Sequence, residues 1–361
     1  MRFLHTGDLH LGRVFSEARY GRAFAQQRRR ELLDTFSRII DYANEHQVDL
    51  ILCCGDFLNS DQLCVEELRN INAMIERLKR AVVFAISGNH DPQIENSAYQ
   101  KISWSRRLYL APPGISRMTL EPLGASITCH SWDKKEMTEP FSVPKADAHS
   151  NLYQILMLHA DALSEESRYL PVDKDALSQA GFDYVALGHI HAPIELAPKV
   201  RYAGSPEPLD FGEEGSHGFW LVDTDAANQQ VQFVPFARRN YRTLTVQTAA
   251  QDAELAIAER IAAKLPCQDD IYTVGLYGTH PSCAGWDLSR IREELLGQGY
   301  LCRLDDQTTP DYDLEQLGRE NQGNLIGDFI ASFQGETMDA VHRRALEYGL
   351  EALISQKGRE S

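Results

Sequence analysis

The first part of the chain alternates short apolar runs with longer amphipathic stretches. Short continuous apolar runs are typical of strands buried on both faces, whereas apolar residues three or four positions apart are typical of helices. We predict, in order, a strand at Arg2–Thr6, a helix from about Ala23 to Glu45, a strand in VDLILCCGD, a helix in CVEELRNINAMIERLKR and a strand in AVVFAISGNHD. This alternation predicts an α/β core with mainly parallel strand pairing.

Two further apolar runs and a hairpin extend this first part. The runs are YQILMLHAD and FDYVALGHIH, and the predicted hairpin joins GFWLVDTD to VQFVPFA. After about Arg239 the alternation continues with helix AELAIAERIAAKL, strand DIYTVGLYG, a helix and strand in LSRIREELLGQGYLCRLDD, and tail helices in NLIGDFIASF and MDAVHRRALEYGLEALIS. A chain of 361 residues has room for one large domain and one small one. We therefore predict two domains, residues 1–239 and a smaller α/β domain at residues 240–361.

The charge of the chain bears on its partners. Lys and Arg number 36 against 52 Asp and Glu, which gives a formal net charge of −16. Such a charge disfavours a free-standing nucleic-acid binder, whose affinity rests mainly on neutralising phosphates. Arg28, Arg29 and Arg30 form a local basic run. We interpret this run as the solvated face of a helix.

The cysteines and the lengths of the apolar runs bear on the cellular compartment of the protein. The seven cysteines include no C-x-x-C pair, and Cys53 and Cys54 are adjacent within an apolar run. This pattern favours reduced thiols over a disulfide framework. The apolar runs are too short to span a bilayer, and the first motif begins before the apolar region of a signal peptide could fit. We expect a cytoplasmic protein with no membrane segment.

Residue types that bind metals follow the predicted strands of the first domain. Asp8 and His10 lie two residues apart just after the first strand, so their side chains can reach the same side. The later strands are followed by Asp56, by Asn89 and His90, by His159, and by His189 and His191. Open α/β sheets build sites at the carboxyl ends of their strands, and glycines precede most of these residues, where the chain must turn sharply. We predict a two-metal site at this edge.

These motifs resemble a known family. DLH, GD, GNHD, LH and GHIH are similar to the five signature blocks of the calcineurin-like metallophosphoesterases, over about the first 235 residues. GHIHAP followed by RYAGSPEPLDFGEEGSHGFWLVD resembles the DNA-repair exonuclease branch of that family, typified by SbcD and YhaO. The resemblance implies a sandwich of two mixed sheets flanked by helices, with residues 1–239 as the catalytic domain and residues 240–361 as a smaller capping domain that ends in helices.

The resemblance also implies roles for the site residues. One metal would be held by Asp8, His10, Asp56 and His191, and a second by Asp56, Asn89, His159 and His189. Oxygen and nitrogen ligands without a thiolate favour two manganese ions, with iron and zinc as the alternatives. His90 would face the substrate and donate a proton to the leaving oxygen, with Asp91 as the candidate to orient it.

One position departs from the nuclease branch. Many of its members carry histidine three residues after the bridging aspartate, whereas this chain has Asn59. Asparagine cannot transfer a proton at neutral pH, so an acid–base role at this position is lost. The departure bears on strand polarity or cleavage mode rather than on metal binding.

Three classes of function compete at this point. The leading one is a metal-dependent exonuclease or endonuclease that acts on DNA ends in repair, together with an SbcC-like coiled-coil ATPase. The second is a phosphoesterase of the same chemistry on a small nucleotide or cyclic nucleotide, which the acidic balance favours somewhat. The third is a scaffold without catalysis, which the full ligand set disfavours. A homodimer is left open.

The last predicted helix offers two apolar stripes. One contains Val341, Ala345, Tyr348 and Ala352, and the stripe beside it contains Leu346, Leu350 and Leu353. Such a face packs on its own domain or against a helix of a partner. Both alternatives stay open from the sequence.

Overall fold

The computed structural model describes residues 1–17, 21–225, 230–282, 284–334 and 339–357. The chain forms two compact units, Met1–Arg242 and Thr243–Ser361. Met338, where the last predicted helix begins, and Cys283 lie outside the described residues. No helix in the described part of the chain is both long enough and apolar enough to cross a membrane.

The first unit contains three helices and twelve strands among its described residues. The helices are α1 (Arg22–Glu45), α2 (Val65–Glu76) and α3 (Lys174–Ser178). The strands are β1 (Arg2–Thr6), β2 (Leu50–Cys54), β3 (Val82–Ile86), β4 (Leu108–Leu110), β5 (Gly114–Leu120), β6 (Ala125–Ser131), β7 (Tyr153–His159), β8 (Tyr184–Gly188), β9 (Ile194–Ala197), β10 (Val200–Tyr202), β11 (Gly218–Asp223) and β12 (Gln230–Pro235). Single 3₁₀ turns lie at Ser60–Gln62, Ala98–Gln100 and Glu121–Leu123.

These strands form two mixed six-stranded sheets. The first has the order β12-β11-β1-β2-β3-β4, with β1 to β4 parallel and the β11–β12 hairpin joined antiparallel to β1. The second has the order β5-β6-β7-β8-β10-β9, in which only the edge strands β5 and β9 are antiparallel to their neighbours. The prediction of two mixed sheets flanked by helices is confirmed.

The register brings the carboxyl ends of the central strands to one edge of each sheet. Thr6 pairs with Cys53, and Cys54 pairs with Ile86, so β1, β2 and β3 end nearly level. In the second sheet His159 pairs with Gly188. The loops that carry the predicted ligands therefore begin close together.

The main core lies between the two sheets. Phe3, Leu52 and Phe84 of the first sheet belong to the same buried cluster as Ile127 and Met157 of the second. Helix α1 covers the opposite face of the first sheet, because its Tyr42 ring lies 5.1 Å from the ring of Phe219 on β11 and it buries an apolar stripe. That stripe contains Leu32, Phe36, Ile39 and Ile40. Burying each such side chain contributes roughly 1.5–3 kcal/mol relative to exposure, and burial on both faces explains the continuous apolar runs of β1, β2 and β3.

The second unit is a small α/β arrangement. Its strands are β13 (Tyr241–Thr248, which begins at the end of the first unit), β14 (Ile271–Pro281), β15 (Leu301–Asp306) and β16 (Thr309–Asp311). Its helices are α4 (Glu254–Ala262), α5 (Leu288–Gly297), α6 (Leu314–Glu320), α7 (Leu325–Ser332) and α8 (Ala340–Lys357). The sheet has the order β13-β14-β15, with β16 paired to β14. Ile257, Ile291 and Leu295 of α4 and α5 pack on Tyr272 and Val274 of β14.

The last helix uses only one of its two apolar stripes for packing. Leu346 and Leu350 are buried with Ile326 and Ile330 of α7. Val341 and Tyr348, on the other stripe, are 74% and 59% exposed. The leucine stripe therefore belongs to the core of the second unit, and the other stripe faces solvent.

The interpretation of the arginine run as a solvated face is wrong for Arg28. Arg28 is fully buried, and its guanidinium donates to Glu31 at 2.5 Å, to Glu207 at 3.3 Å and to the carbonyl of Pro208 at 2.8 Å. Arg29 is half-buried and paired with Glu67, while Arg30 is exposed. Consecutive helical residues point about 100° apart, so three adjacent arginines cannot share one environment.

Glu31 stands at the centre of this buried ion cluster. Its carboxylate also accepts from Arg239 at 2.7 Å, and Glu207 accepts from the hydroxyl of Thr35 at 2.7 Å. Burial alone would raise the pKa of Glu31, but the hydrogen bonds from Arg239 and Arg28 outweigh burial and lower it. The cluster connects α1 to Glu207 and Arg239, which lie far from it in the sequence.

We predict that Arg28→Met destabilises the protein by about 3 kcal/mol, because the substitution leaves buried carboxylates without one of their cations. Arg30→Met is the matched control, since Arg30 lies two residues away and is exposed. Urea unfolding of the metal-free full chain measures both. Equal midpoints for the two variants would contradict the stabilising role of Arg28.

Candidate metal centre

The loops at the sheet edge hold several residues in an unusual backbone conformation. Asp8, His10, Asp56 and His189 have φ values of 50°, 45°, 49° and 97°. Residues other than glycine rarely adopt positive φ, and they keep it where the surrounding structure over-determines the backbone. Here the Asp8 N–H donates to the Gly55 carbonyl at 3.0 Å and the His10 N–H to the Asp56 carbonyl at 2.9 Å. The two loops therefore fix each other.

Two glycines leave room for the side chains that converge at this edge. Gly55 has φ +85°, and a Cβ there would overlap the ring of His159. A Cβ on Gly88 would overlap the Asp56 carboxylate. Both positions need glycine because the side chains of candidate ligands pass where a methyl group would lie.

Asp8, His10 and His191 form one group of converging donor atoms, all within 4.8 Å of one another. The Nε2 atoms of His10 and His191 are 3.3 Å apart, and His191 Nε2 is 3.9 Å from Asp8 Oδ1. The backbone N–H of His189 donates to both Asp8 oxygens, at 3.1 and 3.0 Å. This N–H bond holds the Asp8 carboxylate in place.

Asp56 lies between that group and a second one. Its Oδ2 atom is 3.5 Å from His10 Nε2 and 3.5 Å from His159 Nε2. His159 Nε2 is in turn 2.9 Å from Asn89 Oδ1, and the rings of His159 and His189 are 5.3 Å apart. The structure thus brings Asp8, His10, Asp56, Asn89, His159, His189 and His191 into one cluster.

Three of the imidazoles are oriented by an oxygen acceptor at Nδ1. His10 Nδ1 is 2.7 Å from Asn59 Oδ1, His159 Nδ1 is 2.9 Å from the Cys54 carbonyl, and His191 Nδ1 is 2.8 Å from Glu213. A proton on Nδ1 satisfies each of these oxygens, and it leaves Nε2, once that atom is unprotonated, as the nitrogen that faces the cluster. Such oriented imidazoles are typical of metal ligands.

The electrostatics of the cluster fit divalent cations. Burial lowers the pKa of His10 well below its usual value and that of His159 to about 3, so both are neutral donors at pH 7. Burial, together with the charge of Asp56, raises the pKa of Asp8 to about 8. Burial also raises the pKa of Asp56. The nearby imidazoles and N–H groups do not fully offset the burial of these carboxylates, and a divalent cation would supply further positive charge.

His191 differs from the other imidazoles. Burial disfavours its charged form, but the hydrogen bond to Glu213 and the charges of Asp8 and Asp56 outweigh burial and raise its pKa to about 9. Sequence analysis did not identify Glu213, although it lies in the FGEEG part of the stretch that carried the resemblance. The signal that could have found it is an acidic residue within the stretch that carried the resemblance.

His90 lies at the exposed rim of the cluster. Its ring is 4.8 Å from that of His10, one of its nitrogens lies within 4.8 Å of donor atoms of His10 and Asp56, and its backbone N–H donates to Asp56 Oδ1 at 2.8 Å. The structure therefore places His90 next to the cluster, with a ring that solvent can reach.

The expectation that Asp91 orients His90 is wrong. Asp91 is fully buried, and its oxygens accept from the N–H groups of Gly88 and Leu58 at 2.6 and 3.1 Å and from the Tyr99 hydroxyl at 2.6 Å. These bonds join the loops after β2 and β3. Asp91 thus supports the backbone that carries the candidate ligands.

A comparison with models of protein families shows which family the chain belongs to. The model of the calcineurin-like phosphoesterase family matches residues 1–193, which is more than half of the 361 residues. The chain belongs to this family. The matched residues include every candidate ligand described above.

Several relatives fall in the predicted branch. The chain is 28% identical over 258 residues to the DNA double-strand break repair protein Mre11 of Methanopyrus kandleri, an alignment that covers 62% of this chain and 54% of that protein. It is 28% identical over 251 residues to the uncharacterized metallophosphoesterase YhaO of Bacillus subtilis, with 64% and 60% covered. It is 25% identical over 303 residues to an SbcCD nuclease protein of Staphylococcus epidermidis, with 73% and 76% covered. The chain thus spans little more than half of the first two relatives.

We predict that manganese binding at pH 7 releases protons. Because the pKa values of Asp8 and His191 are raised to about 8 and about 9, this pair holds protons in the metal-free protein that the two residues would have to lose to act as ligands. The apparent affinity for Mn²⁺ should therefore rise between pH 6 and pH 8 and level off as the pH passes these values. Calorimetric titration in two buffers of different ionisation enthalpy counts the protons, and buffer-independent heats at pH 7 would contradict the prediction.

Proposed function

We propose that this protein is a dinuclear-metal phosphodiesterase that cleaves DNA at or near its ends. The observation that carries the proposal is the position of Asp56, whose carboxylate lies 3.5 Å from imidazoles on either side. One carboxylate between two nitrogen donors suits two cations that share a ligand. Membership of the calcineurin-like phosphoesterases supports hydrolysis of a phosphoester bond.

The candidate ligands divide between two cations as the resemblance implies. Asp8, His10, Asp56 and His191 would hold one, and Asp56, Asn89, His159 and His189 would hold the other. Oxygen and nitrogen donors without sulfur favour manganese over softer-ligand metals. A bound pair of such cations supplies an activated water and neutralises charge during in-line displacement at phosphorus.

The protein's own residues supply position and a proton. The loops after β1 and β2 hold the ligands rigidly through their shared backbone hydrogen bonds. His90, exposed at the rim, is free to meet a substrate and to donate a proton to the leaving oxygen. Its backbone bond to Asp56 keeps it beside the cluster.

DNA as substrate is supported by the relatives. One is named a DNA double-strand break repair protein, and another belongs to a nuclease, SbcCD. We propose that residues 240–361 act as the capping domain and that an SbcC-like coiled-coil ATPase is the partner. The exposed stripe with Val341 and Tyr348 on α8 is the surface that we propose for docking this partner.

The cysteines bear on the cellular location that we propose. The six described cysteines form no disulfide, and Cys53 and Cys54 are buried. This supports the proposed cytoplasmic location. A homodimer remains part of the proposal only as an open alternative.

A second candidate function is hydrolysis of a small nucleotide or cyclic nucleotide by the same site. The net charge of −16 favours it, because a small substrate needs no extended basic surface. A scaffold without catalysis is disfavoured by the complete set of converging donors.

We predict different outcomes for two substitutions in the site. His90→Asn should keep full manganese content and slow hydrolysis by about 10²–10⁴-fold, as loss of a general acid does. Asp56→Ala should lose both the activity and the paired manganese, since one carboxylate serves two cations. Metal analysis and hydrolysis of a linear oligonucleotide and of bis-p-nitrophenyl phosphate, each with manganese, measure these effects.

His149→Asn is the matched control for His90→Asn, because His149 is exposed and outside the cluster. Loss of manganese from the His90 variant would make His90 a ligand. Hydrolysis of the small ester alone by the wild type would favour the second candidate function, and no hydrolysis by the manganese-loaded wild type would favour the scaffold.

We further predict that the isolated chain binds DNA weakly, with a Kd of roughly 10⁻⁴–10⁻⁶ M at physiological salt, as for binding without specificity. The reason is the net charge of −16, which leaves little positive charge for phosphates beyond the metal site. Fluorescence anisotropy at several salt concentrations measures the affinity. Tight binding that resists salt would contradict the proposed need for an ATPase partner.

A further inference from the structure

Asn59 is in direct contact with a candidate ligand, although sequence analysis considered it only as a lost acid–base group. Its Oδ1 atom accepts a hydrogen bond from His10 Nδ1 at 2.7 Å. The residue is only 9% exposed, so water competes little for this bond. His10 itself is buried, which raises the cost of leaving its Nδ1–H without an acceptor.

The orientation of the Asn59 amide is fixed from the other side. Its Nδ2 group donates to Gln62 Oε1 at 3.3 Å, and the same Gln62 oxygen accepts from the Val14 N–H at 2.7 Å. The Asn59 backbone N–H donates to the Leu11 carbonyl at 2.9 Å. With its nitrogen engaged by Gln62, the amide presents its oxygen to His10.

The consequence is a single tautomer for His10. Because an amide oxygen can only accept, the 2.7 Å contact with Asn59 Oδ1 is a hydrogen bond only when the proton lies on Nδ1 and the lone pair lies on Nε2. That Nε2 atom is the one that faces Asp56 Oδ2 at 3.5 Å and His191 Nε2 at 3.3 Å. A histidine that ligates a metal through Nε2 needs this tautomer.

The neutral character of the partner also suits the site. His191 already has a carboxylate partner in Glu213, and the cluster itself contains Asp8 and Asp56. A further acid at position 59 would add negative charge to a buried group of carboxylates. An amide accepts the same hydrogen bond without that charge.

We propose that Asn59 is a positioning residue that holds His10 in the Nδ1–H tautomer and aims its Nε2 atom at the first cation. This inference rests on the proposed function, because it assumes that His10 is a metal ligand. It assigns Asn59 a role in metal binding, where the resemblance alone suggested only the absence of a proton donor.

The first test needs no metal and no substitution at position 59. Long-range ¹H–¹⁵N spectra of the histidine-labelled, metal-free protein distinguish the two imidazole tautomers, and His10→Gln assigns the His10 signals. We expect His10 to be protonated at Nδ1. Protonation at Nε2 alone would overturn the inference, whether or not the protein proves to be a nuclease.

The second test compares two variants of the full chain. Asn59→Leu removes the acceptor at similar volume, whereas Asn59→Asp keeps an oxygen at the same place. We expect Asn59→Leu to weaken manganese binding by about 10–100-fold, as loss of such a partner does elsewhere. Asn59→Asp keeps the acceptor but adds a buried negative charge, so we expect it to lose less affinity than Asn59→Leu does. Calorimetric titration measures the affinities, and Mn²⁺ electron paramagnetic resonance reports whether the two ions still form a coupled pair.

The outcomes separate the two proposals. A wild-type protein that binds no manganese pair would overturn the proposed function and this inference with it. A wild-type protein that binds the pair, with an unchanged Asn59→Leu variant, would overturn this inference alone. Equal losses in both variants would assign the effect to packing at position 59 and would also overturn it.

Discussion

Two buried carboxylates of like charge, Asp8 and Asp56, set the constraint on which the first unit depends. Burial of such groups is costly unless hydrogen bonds and positive charge offset it. The structure supplies the hydrogen bonds through the backbone N–H groups of His189 and His90, and these donors exist only because the loops after three strands meet at one edge. The positive φ of Asp8 and Asp56 has the same origin, since the donors hold the backbone where the side chains must point. Under the proposed function, bound cations would supply the positive charge that the backbone N–H groups alone do not provide.

Sequence patterns were sufficient to predict strands and the residues that follow them where a residue's environment is set by its near neighbours in the chain. The runs of β1, β2 and β3 are continuous because both faces are covered, and the carboxyl-end rule then places the residues after them together. The same criterion missed β5 and β6. Strand β5 alternates half-buried and exposed positions, and β6 is buried but rich in polar side chains, such as Ser131, which bonds to Ser87 at 2.8 Å. A search for apolar runs cannot find a strand whose buried polar groups are satisfied by a partner elsewhere in the fold.

The residues that sequence analysis misread share a different cause, because each of them has at least one partner that lies far away in the chain. Arg28 is buried against Glu207 and Pro208, and Asp91 is occupied by Tyr99 and by the N–H of Leu58. Glu213 acquires meaning only beside His191, and its neighbours in the sequence give no sign of this. Motif spacing identified the candidate ligands, because metal chemistry restricts their residue types to a few. The groups that orient the ligands need only an oxygen in the right place, so an amide, a carboxylate and a backbone carbonyl all serve. No residue-type rule singles them out.

The buried ion cluster and the candidate metal centre are joined by one short segment. Arg28 and Thr35 of α1 hold Glu207, and Arg28 also holds the carbonyl of Pro208. The next residue, Leu209, donates its N–H to Glu213 Oε2 at 2.8 Å, and the other oxygen of Glu213 orients His191. Helix α1 carries none of the candidate ligands. It nevertheless holds the backbone at Pro208, beside the Leu209 N–H that binds Glu213, and Glu213 is the partner of His191. The cost of burying Arg28 and two glutamates is large, and surface pairs of the same charges would give little stability in return. A buried cluster can favour one geometry, because moving one member would leave another buried charge without its partner. Hydrogen bonds run from this cluster to His191 through residues 207–213, so the ion cluster and the orientation of His191 depend on the same segment.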